Sequence, residues 1–337
     1  MTAPRPESWI RVTPAGLHVE PGGFYIDPNR VVERAVITHG HADHARPGNT
    51  HVLATAETLA IMQARMGERA GGALQAARYG ETLRIGEVDV RLVPAGHVLG
   101  SAQVMLDWRG SRVVVSGDYK RRPDPTCPPF EPVRCDLFIT EATFGLPVFR
   151  HPPDGHEIDK LLHSRSLFPE RVHLVGAYSL GKCQRVLALL RRQGYDAPIY
   201  LHGAHLAMTE LYQRFGLEFG ELRHALGRPK KELEGQILLA PPGATGDGWA
   251  AKLPDPLVAM ASGWMRVKQR AKQFGVELPL VISDHADWDE LCRTMREVEA
   301  PEIWVTHGNE EALIRQAELY GLRARALSLV GFEDDEA

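Results

Sequence analysis

The stretch "VITHGHADHARPG", residues 36–48, places three histidines and one aspartate within six consecutive positions, directly after an apolar run typical of a β-strand. Side chains two residues apart at a strand end point the same way, so His39 and His41 can bind one metal ion. Asp43 and His44 follow the turn and can bind a second ion. The small residues between them keep the loop compact. The stretch therefore predicts a metal-binding loop at the end of a strand.

The composition is that of an ordinary globular protein. The chain has 337 residues, of which 44% are hydrophobic and 24% charged, and is long enough for two domains or one domain with an insertion. No apolar stretch approaches the roughly 18 residues of a membrane helix. The N-terminal residues lack a signal-peptide core, and the four cysteines form no CxxC motif. We expect a soluble, cytoplasmic protein with no membrane association.

The two halves of the chain have different patterns of predicted secondary structure. From about residue 170, strands alternate with helices, which is typical of a small parallel α/β layer, and a strand–helix–strand–helix pattern follows residue 279. Before residue 170, short β-rich runs alternate with turn signals, and "WRGS" predicts a hairpin turn. The pattern predicts one helix at 56–67 and strands at 24–27, 35–38, 51–55, 88–95, 102–108, 112–117 and 136–143.

Further metal-binding side chains follow strands elsewhere. His97 in "PAGHVLGSA", Asp118 in "VVVSGDYK" and His307 in "IWVTHGN" each come at the end of a β-rich run. Strand ends are where sheet proteins gather functional side chains. We therefore expect these three residues to join the histidine loop in one site.

The HxHxDH, GHxxGSA and SGD motifs together resemble the metallo-β-lactamase fold, an αβ/βα sandwich with a two-metal site at its edge. The resemblance implies two divalent ions, with Asp118 bridging them, and Asp27 in "YIDP" bracing the metal loop. It implies that one ion is bound by His39, His41, His97 and Asp118, and the other by Asp43, His44, Asp118 and His307.

Three more residues resemble motifs of the β-CASP branch of this family, whose members cut nucleic acids. They are Glu141 in "ITEATFG", His285 in "SDHADW" and His307 in "VTHGN". The branch inserts an α/β cap domain, which matches the change of rhythm, so the resemblance covers nearly the whole chain. It implies a core of residues 1–168 and 279–337 and a cap of residues 169–278.

Longer segments narrow the resemblance. "GHVLGSAQV", "SGDYKRRPDPTCPPFEPV" and "TEATFGLPVFRHP" resemble bacterial ligase-associated DNA exonucleases. This implies a metal-dependent DNA exonuclease that works with a DNA ligase and helicase in DNA repair. RNA is the alternative substrate, because RNA-processing members of the branch keep the histidine of the last motif, and in this chain that histidine is present as His307. The mixed histidine and aspartate ligands suit zinc or manganese.

Two divalent cations close together suit in-line displacement at phosphorus, so the expected reaction is phosphodiester hydrolysis at a centre containing Asp43 and Asp118. His285 is the expected general acid, with Glu141 accepting from its other ring nitrogen. The turn "AYSLGKCQRV" lies between a strand and a helix, a favourable place for phosphate. It predicts substrate contacts by two residues, Ser179 and Lys182.

Two other function classes fit parts of the pattern. This fold also hydrolyses thioesters, lactones and β-lactams, and some β-CASP relatives are binding proteins with degenerate sites. The net charge of −4 does not indicate a basic nucleic-acid-binding domain. Local basic clusters, which we expect to be mostly solvated surface, lie at 120–122, 191–192, 228–231 and 268–272.

Overall fold

The computed structural model describes residues 3–327, which form two compact units. The first comprises residues 3–150 and 285–327, and the second comprises His151–Asp284. The second unit is longer at both ends than the segment 169–278 expected for a cap. One reason is a helix before residue 169 that belongs to this unit, because its Asp154 pairs with the buried guanidinium of Arg185.

The first unit contains two sheets. In the first sheet the order is β1-β2-β3-β4-β5-β6, antiparallel from β1 to β3 and parallel from β3 to β6. Its strands are β1 Ile10–Thr13, β2 Gly16–Val19, β3 Phe24–Ile26, β4 Arg34–Val36, β5 His51–Ala54 and β6 Ala73–Ala76.

The second sheet of this unit is also mixed. Its strands are β7 Thr82–Ile85, β8 Val88–Pro94, β9 Ala102–Trp108, β10 Ser111–Val115, β11 Leu137–Ala142, β18 Glu302–Gly308 and β19 Arg323–Ala326. The order is β19-β18-β11-β10-β9-β8-β7. The strands from β7 to β10 are antiparallel, and those from β10 through β11 and β18 to β19 are parallel.

The two sheets pack face to face, and helices cover their outer faces. The core between the sheets includes Trp9, Phe24 and Trp304, all almost fully buried. On the outer face of the first sheet lies α1 (Ala56–Met66), and on that of the second lie α7 (Trp288–Glu297) and α8 (Glu310–Leu319). This layering confirms the mixed α/β class predicted from the sequence.

The second unit is built on one parallel sheet of order β14-β13-β15-β12-β16-β17. Its central strand β12 is buried throughout, as parallel strands covered on both faces are. The strands are β12 Val172–Gly176, β13 Ile199–Leu201, β14 Leu222–His224, β15 Ile237–Ala240, β16 Pro256–Ala261 and β17 Leu278–Leu280. The helices are α2 Asp154–Leu167, α3 Lys182–Arg192, α4 Gly203–Arg214, α5 Lys230–Leu233 and α6 Lys268–Gln273.

Every strand predicted before residue 170 is present, as are the predicted helix α1 and the strand–helix alternation that follows. The predicted hairpin turn is confirmed: Arg109 and Gly110 both have positive φ, at 49° and 85°, as a type I′ turn requires. The four cysteines are free. Among residues 3–327, no helix combines the length and apolarity needed to cross a bilayer.

Candidate metal and catalytic site

The predicted metal ligands all lie in the first unit, at the carboxyl ends of one strand of the first sheet and three strands of the second. The histidine loop follows β4, His97 follows β8, Asp118 follows β10 and His307 lies near the end of β18. Within the second sheet, β8, β10 and β18 run in the same direction, so their carboxyl ends lie along one edge of that sheet. The loop after β4 of the first sheet lies at the same edge, and residues far apart in sequence become close in space. The fold thus gathers one polar cluster from four chain segments.

The first group consists of His39, His41, His97 and Asp118, whose ligand atoms all lie within 4.8 Å of one another. The His41 Nδ1 atom is 3.1 Å from the Nε2 atoms of both His39 and His97. Nitrogens 2.0–2.1 Å from a common ion at tetrahedral angles lie about 3.4 Å apart. Four lone-pair donors at such separations fit a divalent transition-metal ion.

The second group consists of His44, Asp118 and His307. The Asp118 Oδ2 atom is 3.3 Å from His44 Nε2, and its Oδ1 atom is 3.7 Å from His307 Nδ1. Asp118 is therefore shared by both groups. Asp43 is not in this compact group, although its Oδ2 atom is 3.4 Å from His44 Nε2.

Asp27, at the end of β3, holds the metal loop from behind. Its Oδ1 atom accepts from the Thr38 backbone N–H (2.8 Å), and its Oδ2 atom accepts from the Thr38 hydroxyl (2.6 Å) and lies 2.8 Å from His44 Nδ1. A carboxylate that accepts from the Nδ1–H group fixes the orientation of the His44 ring, so that its Nε2 atom faces the side of the site where Asp118 lies. Asp27 itself has a positive φ of 42°, a strained conformation that these three contacts hold in place.

Small residues and backbone contacts explain the shape of the loop. A Cβ atom on Gly40 would lie 2.5 Å from the Cγ2 atom of Ile61 in α1, so only glycine fits this position without a shift. Arg65, one turn further along α1, donates to the Gly40 carbonyl. The helix that follows β5 thus fixes the loop that follows β4.

Two residues that support the ligands were not singled out in the sequence. The Thr38 hydroxyl supports Asp27, and the Ser101 hydroxyl accepts from the backbone N–H groups of His97 and Val98, each at 3.1 Å. Both adjoin ligand motifs, Thr38 directly before HxHxDH and Ser101 within GHxxGSA. That adjacency to the motifs is the signal that could have found them.

A β-bulge directs His307 towards the cluster. Along the β11–β18 pair, Glu141 is opposite Thr306 but Ala142 is opposite Gly308, so His307 is the extra residue, and its φ is 59°. Bulges turn a side chain out of the regular alternation and often lie beside functional sites. The Gly308 backbone approaches Ala142 so closely that a Cβ there would lie 2.3 Å from its carbonyl oxygen.

The charges of the cluster favour metal binding at its shared carboxylate. Burial lowers the pKa of His39 well below its usual value, which keeps its lone pair available. Burial acts to raise the pKa of Asp118, but the nearby His44 and hydrogen bonds from His307 and His39 outweigh it and lower that pKa well below 3.8. Burial acts against charging His44 as well, yet Asp118 and Asp43 raise its pKa well above 6.5.

Beside the metal cluster lies a buried carboxylate–histidine pair. The Glu141 Oε2 atom is 2.9 Å from His285 Nδ1, and its Oε1 atom accepts from the backbone N–H of Tyr119 at 2.7 Å. The His285 ring is 4.7 Å from the His97 ring, centroid to centroid. A carboxylate on Nδ1 leaves Nε2 as the atom that can exchange a proton with a substrate. Glu141 also links His285 to the residue after Asp118.

The predicted phosphate-binding turn has a different environment. Lys182 is fully buried in the second unit, where its Nζ atom donates to the Asp284 carboxylate (2.5 Å) and to the Ile282 carbonyl (3.1 Å). The ammonium group is thus enclosed and has protein partners, and the expected substrate contact by Lys182 stays a prediction. Ser179 is half-buried, and its hydroxyl lies 3.0 Å from His205 Nδ1.

Comparison with known proteins finds relatives that are named as enzymes of nucleic acids. No family model matches. The chain is 28% identical over 324 residues to a protein of Opitutus terrae named as a probable DNA ligase, covering 93% of this chain but only 30% of that protein. It is 26% identical over 395 aligned positions to a ribonuclease of Thermus thermophilus, covering 92% of this chain and 88% of that enzyme.

A solved structure shares the fold alone. It is an Enterococcus faecalis protein of unknown function, 14% identical, with a TM-score of 0.59 over 89% of this chain and 80% of that chain. Both relatives match over more than nine-tenths of this chain, and the motifs of the metal cluster and of the Glu141–His285 pair are all present. The chain belongs to the β-CASP metallo-β-lactamase family, as its motifs predicted.

Proposed function

We propose that the protein is a metal-dependent DNA nuclease that hydrolyses phosphodiester bonds. The observation that carries the proposal is the pair of ligand groups sharing Asp118, next to the buried Glu141–His285 pair. Nuclease chemistry needs both parts, one to stabilise charge at phosphorus and one to protonate the leaving oxygen. A hydrolase of small activated esters has no need of the second part.

In the proposal, two divalent ions are bound by the seven predicted ligands. His39, His41, His97 and Asp118 would hold one ion, and Asp43, His44, Asp118 and His307 would hold the other. When bound, the ions supply Lewis-acid stabilisation of the phosphate and an activated water. Zinc and manganese both suit this mixed ligand set.

The chain's own residues do the rest of the chemistry. Asp27 and Thr38 keep the Nε2 lone pair of His44 directed at the site. His285 donates a proton from Nε2 to the departing sugar oxygen, and Glu141, which accepts from Nδ1–H, stabilises the imidazolium that gives up this proton. The Ser179 hydroxyl is a proposed substrate contact in addition to its contact with His205, since Ser179 is partly exposed after β12, at the carboxyl edge of a parallel sheet.

The substrate and the partners follow from the relatives. DNA is favoured because the relative named as a probable DNA ligase matches through 93% of this chain. That match also supports association with a DNA ligase and a role in repair. The helicase partner stays a prediction from the sequence motifs. We further propose that the second unit is the β-CASP cap, and that digestion is exonucleolytic.

RNA processing is the second candidate function, and the similarity of this chain to the ribonuclease of Thermus thermophilus supports it. The test is to offer 5′-labelled and 3′-labelled single- and double-stranded DNA and RNA to the purified protein with a panel of divalent ions. Chelation should abolish cleavage, and added ion should restore it, with DNA cut faster than RNA. Faster cleavage of RNA with every metal would overturn the DNA assignment. Product ladders from the two labels give exonuclease polarity.

A hydrolase of thioesters or lactones is tested in the same assay. Chromogenic β-lactam, lactone and thioester substrates should be turned over far more slowly than an oligonucleotide. If they are hydrolysed rapidly while every nucleic acid stays intact, the nuclease proposal fails.

A further inference from the structure

The basic clusters seen in the sequence differ sharply in their surroundings. In the cluster at 120–122 every side chain has a carboxylate partner, and in the cluster at 228–231 Arg228 pairs with Glu232. Arg191 donates to four backbone carbonyls. The three ion pairs of the first cluster are Lys120–Asp124, Arg121–Glu297 and Arg122–Asp287. These paired cations serve the protein's own structure, whereas Arg192, Lys230 and Lys231 of the same clusters are exposed.

The fourth cluster lies in residues 264–274, which we call the basic segment. It contains four cations and no acidic residue in the sequence "WMRVKQRAKQF". Among the residues that the structure describes, none of the four makes an ion pair with a carboxylate, and three are exposed while the fourth is half-buried. They are Arg266, Lys268, Arg270 and Lys272.

The arrangement of these cations works against the helix that carries them. Lys268 and Lys272 are four residues apart in α6, so their ammonium groups are neighbours on one face. Like charges at this spacing destabilise a helix. The repulsion is not relieved by any carboxylate of the segment, and an anionic partner would relieve it.

Aromatic side chains accompany the cations. The Arg270 guanidinium lies over the Trp264 ring, 4.0 Å from its centroid, which fixes its position. Phe274 comes one helical turn after Arg270 and is 58% exposed, which leaves its ring accessible to a partner. Cations that match phosphates, together with an exposed ring on which a base can stack, are the elements of a single-strand binding surface.

We propose that the basic segment binds single-stranded DNA, with Lys268 and Lys272 contacting successive phosphates and an unpaired base stacked on Phe274. The inference rests on the proposed function, since the strand bound is that of the substrate. A duplex fits less well, because its bases are already stacked on one another and offer no face to Phe274. The second unit would then contribute affinity for the strand through this surface.

The experiment compares two double variants of identical charge change. Lys268→Gln with Lys272→Gln removes two cations from the basic segment, and Lys230→Gln with Lys231→Gln removes two exposed lysines from the same unit, beside Glu232. Binding of a fluorescent thymidine oligonucleotide is measured by anisotropy in chelator, across a salt series. The first variant should lower the slope of log affinity against log salt by about 1.4, about 0.7 for each lost phosphate contact. The control should keep the wild-type slope.

Phe274→Ala tests the stacking independently of charge. It should weaken binding of the single strand at least about fivefold, the lower bound for losing one stacked base, and leave the salt slope and duplex binding unchanged. Equal slopes for the two double variants, or equal losses on single strand and duplex for Phe274→Ala, would overturn the inference. Failure of the proposed function would show differently, as a wild-type protein that hydrolyses neither nucleic acid nor an aryl phosphodiester with any divalent ion.

Discussion

The carboxyl edges of the sheets in the two units carry similar sequence signals but differ in how their polar side chains are satisfied. In the first unit, histidines and aspartates converge with their lone pairs directed at shared points, as around Asp118. In the second unit, the polar residues at the turn after β12 are paired within the protein. Lys182 binds Asp284, Ser179 binds His205, and the Gln184 side chain binds Thr209.

The difference shows what separates a site from packing at a strand end. When the Nδ1–H of a neutral imidazole is donated elsewhere, its Nε2 atom offers only a lone pair, and several such nitrogens around a carboxylate favour a cation. A donor with an acceptor, such as Lys182 with Asp284, is already satisfied and stabilises the local backbone.

The largest effect is expected for Asp118→Ala, because Asp118 belongs to both ligand groups. Phosphodiester hydrolysis should fall to the uncatalysed background, and the bound metal measured by plasma emission spectroscopy should drop for both ions. The control is Asp89→Ala in β8 of the same sheet, a carboxylate that pairs with Arg84 at the surface. It should keep metal content and activity. Normal activity of Asp118→Ala would remove it from the centre.

His285→Ala should cost roughly 10²–10⁴-fold on a natural phosphodiester, because it loses protonation of the leaving oxygen but keeps every metal ligand. A diester that leaves without a proton, such as an aryl phosphodiester or one with bridging sulfur, should rescue His285→Ala substantially. The same substrate should not rescue Asp118→Ala. The measurement is the ratio of variant to wild-type rates on the two substrates at equal metal content.

If His285→Ala is as impaired on the activated diester as on the natural one, the general-acid role fails. His285 would then act as a ligand or as support for His97, whose ring it contacts. Glu141→Gln should give a smaller loss with the same rescue pattern, because it alters only the partner of Nδ1.

Lys182→Met should lower stability, not DNA affinity. Removing one member of a buried ion pair leaves Asp284 charged and enclosed, which costs roughly 3–5 kcal/mol. The urea midpoint of unfolding should fall well below that of the wild type. Arg192→Met, an exposed substitution at the end of the same helix, should leave the midpoint unchanged.

The second measurement is DNA binding at a temperature where Lys182→Met is folded. Its salt slope should equal that of the wild type. If stability is unchanged while the slope falls by about 0.7, one phosphate contact has been lost and Lys182 is a substrate ligand after all.

The contrast also explains what could be predicted from the sequence. Six of the seven predicted ligands lie in the two compact groups because HxHxDH concentrates ligands locally, and because His97, Asp118 and His307 each end a clear β-rich run. Glu141 and His285, predicted as a pair from the family motifs, do contact each other. Most central strands were also predicted from the sequence, because their buried residues form continuous apolar runs.

Lys182 could not be placed in this way. A glycine and a lysine at a strand-to-helix turn suit a phosphate, but the carboxylate that pairs with this lysine lies 102 residues further along the chain. Local pattern does not report such a partner. Short strands such as β6 and β7 were missed because their mostly exposed side chains give no apolar periodicity. The helix α2 was missed too, and its pairing with α3 extends the second unit.

The smallest effect, and a test of the second edge alone, concerns pH. Burial lowers the pKa of His205 from 6.5 to about 4, with the nearby His202 acting in the same direction. In the unfolded chain the imidazole takes up a proton below about 6.5, whereas the folded protein takes it up only near 4, so the unfolded state binds more protons in this window. Stability should therefore be intact above about 6.5 and decline as the pH falls towards 4, by at most roughly 3 kcal/mol at about 1.4 kcal/mol per pKa unit.

His205→Gln should flatten this part of the pH profile of the urea midpoint, while His163→Gln, at an exposed position in α2, should leave the profile unchanged. A wild-type midpoint that holds constant from 6.5 to 4, or one that rises, would show that His205 is charged in the folded protein. The carboxyl edge of the sheet in the second unit would then contain a charged imidazole, and not a neutral one that is hydrogen-bonded to Ser179.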